Sequence, residues 1–584
     1  MIFLVVSTLL FLGIPSVDAA ATLHVNAWQS KGKYPIASDY PESLLPEISS
    51  RPSTAIAFSG GGSRSFAAST GYLAGLNKLG LLENVRYIGG ISGGSWVSTV
   101  FTYAQNVSDD AVLLGDVVSP EDIVDEELAT MNPACMRRLT TNDLVVTGVE
   151  AMIEGKVKGC AAAFCYGLQE AYLTPIGVPP ATRFSWSETT VADIRSRNPE
   201  LTPDVAPFVL PGSPKRPYLV IGSALVGPAS GAPYHSEHHN FTMTEFTPLY
   251  AGQARTMDVE YLPDHQTEPL KRRVGGLLEA HAFNRGNSKS SGDNDQGDIA
   301  PSRGLPTGVT NAVLDVPVPE HFLDLSFAAG SSGYAVGAFM ESSYIPTIAD
   351  KLGLHHNYWS PTETDSPVAT DMLYTDGGCY ENEALIPFLQ REVSKIILFL
   401  NPHIPLQPST NWDVQNDEPS RDQLDTNIAA FFGVFPPADA EDVERNYMLG
   451  KDQVFPTEDY TPLVLGLQAA QAAGKGIVFS MNLTTVENEW WGVAAGHNVE
   501  VTFVYLGRLS QWEAQLSVDM QSRVVPTDGD PSDLSNTIDS GEFKGYPHYI
   551  TAGGLLSPKQ TNLLADMSGW VIERNEEIFK HMLS

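Results

Sequence analysis

Two glycine turns about thirty residues apart constrain this chain more than any other feature; each follows a short apolar run and opens a helical pattern. The first run, Ala55-Ile56-Ala57-Phe58, leads into Ser59-Gly60-Gly61-Gly62-Ser63-Arg64 and a helical pattern from Ser65 to Leu79 that Gly80 stops. The second, Val85-Arg86-Tyr87-Ile88, leads into Gly89-Gly90-Ile91-Ser92-Gly93-Gly94 and an apolar helix to about Tyr103. Short apolar runs between turns are the pattern of strands buried on both faces of a parallel sheet. Gly90 to Gly94 spell G-x-S-x-G around Ser92, which places a serine hydroxyl above a sheet edge on a tight strand-to-helix turn. The glycines of the first turn, at a helix N-terminus, would present N–H groups that no helix bond uses. That arrangement suits an oxyanion hole.

Each turn alone has other readings. G-x-S-x-G arises by chance in many chains, and a glycine run before a helix can be a plain turn or a phosphate cradle. Gly60, Gly62 and Ser65 nearly spell a dinucleotide fingerprint, with Glu83 near the ribose-binding distance. The third glycine is missing, however, and that fingerprint leaves Ser92 without a role. Taken as a pair, the turns favour acyl transfer. A serine hydroxyl then needs a base. One of thirteen histidines could complete a Ser-His-Asp triad, and His235, His238 and His239 are clustered. Asp376, in Tyr374-Thr375-Asp376-Gly377-Gly378, is the other candidate, although by itself that turn also reads as an Asx-type turn.

The net charge of −34 over 584 residues opposes binding to nucleic acid and to strongly anionic membranes. Residues 1–19 read as a signal peptide cleaved near Ala19 to Ala21, because Ile2 to Ile14 is largely apolar and too short to span a bilayer. No transmembrane segment is expected in the mature chain. Sequons at Asn106, Asn240 and Asn482 agree with a secreted or secretory-pathway protein. Four cysteines permit two disulfides in any of three pairings. Cys160 and Cys165 lack metal-ligand spacing, and Asp293-Asn294-Asp295 lacks the Gly and Glu of a calcium loop, so no metal is expected.

Three motifs, Ser59 to Arg64, Gly90 to Trp96 and Tyr374 to Gly378, together resemble the fungal secreted lysophospholipases (phospholipase B) and the catalytic domain of the cytosolic phospholipases A. A fourth block, Glu245-Phe-Thr-Pro-Leu-Tyr-Ala-Gly252, is similar to a segment of that family in the same chain order. More distantly, the Ser and Asp turns resemble patatins. The resemblance spans roughly residues 50–405 and leaves the last 180 residues without a motif. It implies a Ser-Asp dyad of Ser92 and Asp376, oxyanion donors at Gly61 and Gly62, and Arg64 meeting the substrate phosphate or bracing its loop. It implies phospholipid or lysophospholipid substrates at a membrane or micelle interface, and no cofactor. Ser63 stands where the family commonly has Phe or Tyr, Cys379 follows the D-G-G turn, and no membrane-docking calcium domain precedes the core.

The expected fold is α/β: three layers, a mainly parallel central sheet with helices on both faces, like the patatins and cytosolic phospholipases, with a cap-like insertion. Residues 22–584 form a single large domain in this reading, with the cap at 106–215 and a mobile polar loop at 284–304. Residues 22–50 are extended along the core, and Thr561 to Leu583 closes the chain as an amphipathic helix. A Ser-His-Asp esterase or peptidase, and a secreted or storage protein without activity, are the alternatives. The export reading predicts a mature N-terminus at Ala20 or Ala21 and glycan on some of the three sequon asparagines. Intact Met1 in mass spectra of secreted material would refute it.

Overall fold

The computed structural model describes residues 22–234, 240–264, 266–283, 301–319, 321–335, 353–365, 367–408, 412, 417–435, 448–526, 533–551 and 555–584. The signal-peptide reading, His235, His238, His239, Asp293 to Asp295 and most of the 284–304 loop lie outside the described residues.

One sheet of thirteen strands runs through the molecule. In chain order these are β1 (Thr22–Trp28), β2 (Thr54–Phe58), β3 (Tyr87–Ile91), β4 (Tyr218–Pro228), β5 (Thr242–Phe246), β6 (Tyr250–Tyr261), β7 (Leu270–Glu279), β8 (Asn311–Pro317), β9 (Leu354–Tyr358), β10 (Thr370–Thr375), β11 (Lys395–Leu400), β12 (Ile477–Thr484) and β13 (Asn498–Tyr505). The lateral order is β8-β1-β7-β6-β5-β4-β3-β2-β11-β13-β12, with β10 pairing β4 and β9 pairing β10. The centre, β4-β3-β2-β11-β13, is parallel throughout. Antiparallel strands extend it on both sides. All residues of β2, β3 and β4 are buried, as befits parallel strands covered on both faces.

The helices around this sheet and the site include α1 (Gly62–Lys78), α2 (Gly93–Tyr103), α3 (Leu144–Ile153), α4 (Cys160–Leu168), α5 (Leu325–Ser332), α6 (Tyr460–Ala473) and α7 (Pro558–Arg574). Phe58 and Phe399 stack at 5.1 Å on one face of the sheet, and Tyr72 of α1 stacks on Phe399 at 4.5 Å. Side chains alternate across a strand, so Ala57, Leu398 and their register partner Gly89 face the other way. There Gly89 makes room for the Phe388 ring, and Phe479, in the same register row, seats against Gly466 of α6. Helices therefore cover both faces, and the three-layer expectation is met.

The closing helix differs from its sequence reading. Residues Thr561 to Ile572 of α7 are all buried, and a second short helix, Glu576–Met582, follows a break at Asn575. One side of α7 lies along α1, where a Cβ at Gly71 would stand 2.0 Å from the Ala565 carbonyl oxygen. Another side meets the chain between α2 and β4: Arg137 pairs with Asp566 at 2.8 Å, both buried, and Asn562 donates to the Leu128 and Thr130 carbonyls. The chain between α2 and β4 thus packs over this helical layer.

Residues 22–50 join the sheet through β1, which pairs with β8 and β7. Before the 284–304 segment the chain adds β7, Leu270–Glu279, to the antiparallel wing. Its Lys271 and Arg273 pair with Glu260 and Asp258 at the exposed end of the β6–β7 ribbon. None of the four cysteines forms a disulfide. Asn106 and Asn482 are exposed, whereas Asn240 is half-buried and accepts from Lys451 at 2.7 Å.

Gly71→Ala should destabilise the protein by about 1–3 kcal/mol, because the added methyl overpacks the α1–α7 contact. At an open helical site the same change stabilises by about 1 kcal/mol. Urea denaturation distinguishes the two by sign.

Candidate active site

Parallel strands β2 and β3 end side by side, and each turns directly into a helix. Ser92 sits between β3 and α2 with φ 52° and ψ −124°. A serine held at positive φ is strained by about 1–3 kcal/mol, and surrounding contacts must enforce it. They do so on both sides of the residue. The Ser92 N–H donates to the Ser332 carbonyl at 3.1 Å and lies 3.0 Å from Ser332 Oγ, while the Ser92 carbonyl accepts from the Ser95 and Trp96 N–H groups. Glycine is required next to it, since a Cβ at Gly93 would stand 2.2 Å from the Gly62 carbonyl oxygen and one at Gly94 2.1 Å from that of Phe58. The two turns are in backbone contact.

Asp376 reaches the same point from the end of β10. Its Oδ2 accepts from Ser92 Oγ at 2.9 Å and its Oδ1 from the Gly378 N–H at 2.8 Å. Both oxygens are satisfied, which fixes the carboxylate. Asp376 is 7% exposed, and burial pushes its pKa up to about 6 against the opposing pull of the Gly378 and Ser92 hydrogen bonds. No histidine among the described residues bonds to Ser92 or Asp376.

Gly61 and Gly62 form the start of α1, with φ values of 132° and 54°. Gly60 N–H is committed to the Asn382 carbonyl at 2.9 Å. The Gly61 and Gly62 N–H groups have no acceptor among the described residues. They lie beside the Ser92 turn, where a Cβ on Gly60 would be 3.2 Å from Ser92 Cβ. The N-termini of α1 and α2 both end here, so the local field favours negative charge.

Arg64 is 5% exposed and turned inward. Its Nε donates to the Asn401 carbonyl at 3.0 Å and an Nη to the Tyr549 carbonyl at 2.5 Å. Burial lowers its pKa to about 10, and the charge of Asp425 opposes this only in part. In this arrangement Arg64 braces the first turn through carbonyl oxygens and sets a buried positive charge behind it. Thr551 donates to the Gly61 carbonyl at 2.8 Å from the outer side.

Several of these contributors were not singled out from the sequence. Ser332 lies in a Gly-Ser-Ser-Gly segment visible as an oddity but without an assigned role. Asn382, whose Oδ1 lies beside both Gly60 and Gly378, follows Asp376 by six residues. Tyr549 and Thr551 act mainly through backbone or a single hydroxyl, which no residue pattern marks. The Glu245 block belongs elsewhere: Glu245 and Glu42 clasp Arg391, at 3.0 and 2.9 Å, in a fully buried ionic cluster.

Asp376→Asn should strengthen the fold at neutral pH. A carboxyl whose folded pKa is about 6, above its usual 3.8, favours folding when protonated and loses that advantage as pH rises through 6. Above that point it costs about 3 kcal/mol. The asparagine variant should therefore gain stability over wild type at pH 7.5 and much less at pH 4.5. Equal gains at both would refute the buried-carboxylate account.

Residues 56–155 match the family model described as patatin-like phospholipase. Cytosolic phospholipase A2 zeta of Homo sapiens is 47% identical over 51 residues, which are 9% of this chain and 6% of that protein. The Mus musculus protein of the same name is 49% identical over 51 residues, with the same coverage. The matched stretch thus spans only a small part of these relatives' length. Among solved structures, human GIVD cytosolic phospholipase A2 aligns with 94% of this chain and 61% of its own, at 12% identity and a TM-score of 0.43. The stretch that builds both glycine turns carries the sequence signature of the patatin-like phospholipases.

Proposed function

We propose that this protein is a serine hydrolase that cleaves fatty-acyl esters of phospholipids and lysophospholipids through a Ser92–Asp376 dyad. The observation that carries this reading is the 2.9 Å hydrogen bond from Ser92 Oγ to Asp376 Oδ2, made by a serine at positive φ beside two uncommitted N–H groups. The patatin-like signature of residues 56–155 supports phospholipid as the ester class.

The chemistry proceeds in two halves. Asp376 takes the Ser92 hydroxyl proton as Oγ attacks the ester carbonyl carbon. The carbonyl oxygen becomes an oxyanion facing the Gly61 and Gly62 N–H groups, with two helix N-termini and the Arg64 charge behind them. Collapse breaks the bond to the leaving alcohol, which receives the proton from Asp376, and leaves an acyl ester on Ser92. Water then gives a proton to Asp376 and attacks that ester; collapse frees the fatty acid and returns the proton to Oγ. A pKa near 6 makes Asp376 a better base than an exposed carboxylate while keeping it ionised at neutral pH. Entry through the secretory pathway, with glycan on exposed Asn106 or Asn482, is part of the same proposal.

Ser92→Ala should remove fluorophosphonate labelling and lower turnover on lysophosphatidylcholine by at least about a thousandfold. Asp376→Asn should do nearly the same, since the two residues act as a unit. Activity should fall as pH drops below about 6, because only the ionised carboxylate accepts the proton. If one histidine replacement in a folded protein matches the loss in Ser92→Ala, a triad replaces the dyad.

A further inference from the structure

Helix α3, in the insertion, has two apolar faces, and the core uses one of them. Leu144, Gly148 and Ala151 are buried, and Gly148 seats against α4, where a Cβ would stand 2.1 Å from the Ala163 carbonyl oxygen. At about 100° per residue, Val145, Val149, Ile153 and Val146 fall in a separate arc beside that buried face. They are 43%, 41%, 78% and 49% exposed. Glu150 and Glu154 take the remaining surface. A helix on a soluble protein ordinarily turns polar residues outward. Scattered exposed apolar side chains need no explanation, but a contiguous stripe of them marks a contact surface.

Placement and charge identify what the stripe meets. Behind α3 lies α4, whose Phe164 ring is 5.5 Å from Tyr334 and 6.2 Å from Trp96. The Tyr334 carbonyl accepts the Asp376 N–H at 3.3 Å, and Trp96 lies in the first turn of α2, the helix that follows Ser92. Ile550, next to the Thr551 that covers Gly61, is 84% exposed, which adds an apolar side chain beside the oxyanion turn. The stripe itself is uncharged, and beyond its end Lys156 is neutralised by Glu154 at 2.7 Å. A protein of net charge −34 is repelled by anionic membranes, so an uncharged apolar face suits a surface without net charge.

We propose that the α3 stripe is an interfacial docking surface for zwitterionic phospholipid, which brings the Ser92 site to the lipid. The proposal rests on the acyl-hydrolase reading for its purpose and on the exposed stripe for its location. The test is co-sedimentation of the full chain with phosphatidylcholine vesicles, in a Ser92→Ala background so that the lipid is not consumed. Val149→Gln with Ile153→Gln keeps the helix and adds no charge; it should lower partitioning roughly tenfold or more. With Ser92 intact, the same double variant should turn over a water-soluble short-chain ester at the wild-type rate. In a separate variant, Ile153→Trp, tryptophan emission should shift to the blue on mixing with vesicles. Unchanged partitioning of the glutamine variant would overturn the proposal. So would a concentration-dependent dimer that the variant abolishes, since the face would then meet a second copy. Loss of vesicle binding in a protein that hydrolyses no ester would uphold the docking surface and remove the hydrolase reading instead.

Discussion

The contact between the two glycine turns is the constraint on which the rest of the site depends. β2 and β3 are neighbours in a parallel sheet, so their C-terminal turns are a strand spacing apart, and their backbones touch at Gly62 and Gly93. Any side chain there would force the turns apart and move the Ser92 hydroxyl away from the α1 N-terminus. The sheet sets the spacing and the glycines allow it to be used. Asp376 is brought in by a third element, β10, which joins the sheet antiparallel to β4.

The electrostatics follow from the same closeness. Packing three chain segments around one point excludes water, and exclusion of water raises the Asp376 pKa. It also leaves Arg64 buried against carbonyl oxygens rather than a carboxylate. A carboxylate partner would have cancelled its charge. Carbonyl dipoles hold the guanidinium in place and leave most of its field to act on the turn in front of it.

What could be read in the sequence was whatever a residue type dictates by itself. The glycines declared their turns because only glycine tolerates that backbone and that proximity, and β2 and β3 declared themselves by the short apolar runs that precede those turns. The antiparallel wing was hidden. Strand β7 starts with Leu270, Lys271, Arg272 and Arg273, whose charges read as solvent-facing and whose pairing with β6 is a tertiary fact. Helix α7 looked amphipathic because its polar members, such as Asn562 and Asp566, are paired in the interior, with Leu128, Thr130 and Arg137. Ser332, Asn382 and Tyr549 support the site through backbone carbonyls, which every residue has.

The anchoring of the first turn by Tyr549 and Thr551 has a consequence for how the protein comes into being. Ribosomes deliver a chain from its N-terminus, so the strands and glycine turns of the site are made long before their last supports. Until residues 549–574 emerge, Arg64 lacks one of its two carbonyl partners, Gly61 lacks the Thr551 hydroxyl, and α1 lacks the helix that lies along it. Ser92 is therefore among the first parts synthesised, and its turn is among the last to gain its supports. A nascent chain carries a loose, incompletely desolvated site through most of its synthesis, and the first turn is braced from both sides only once residues 549–574 have packed against it.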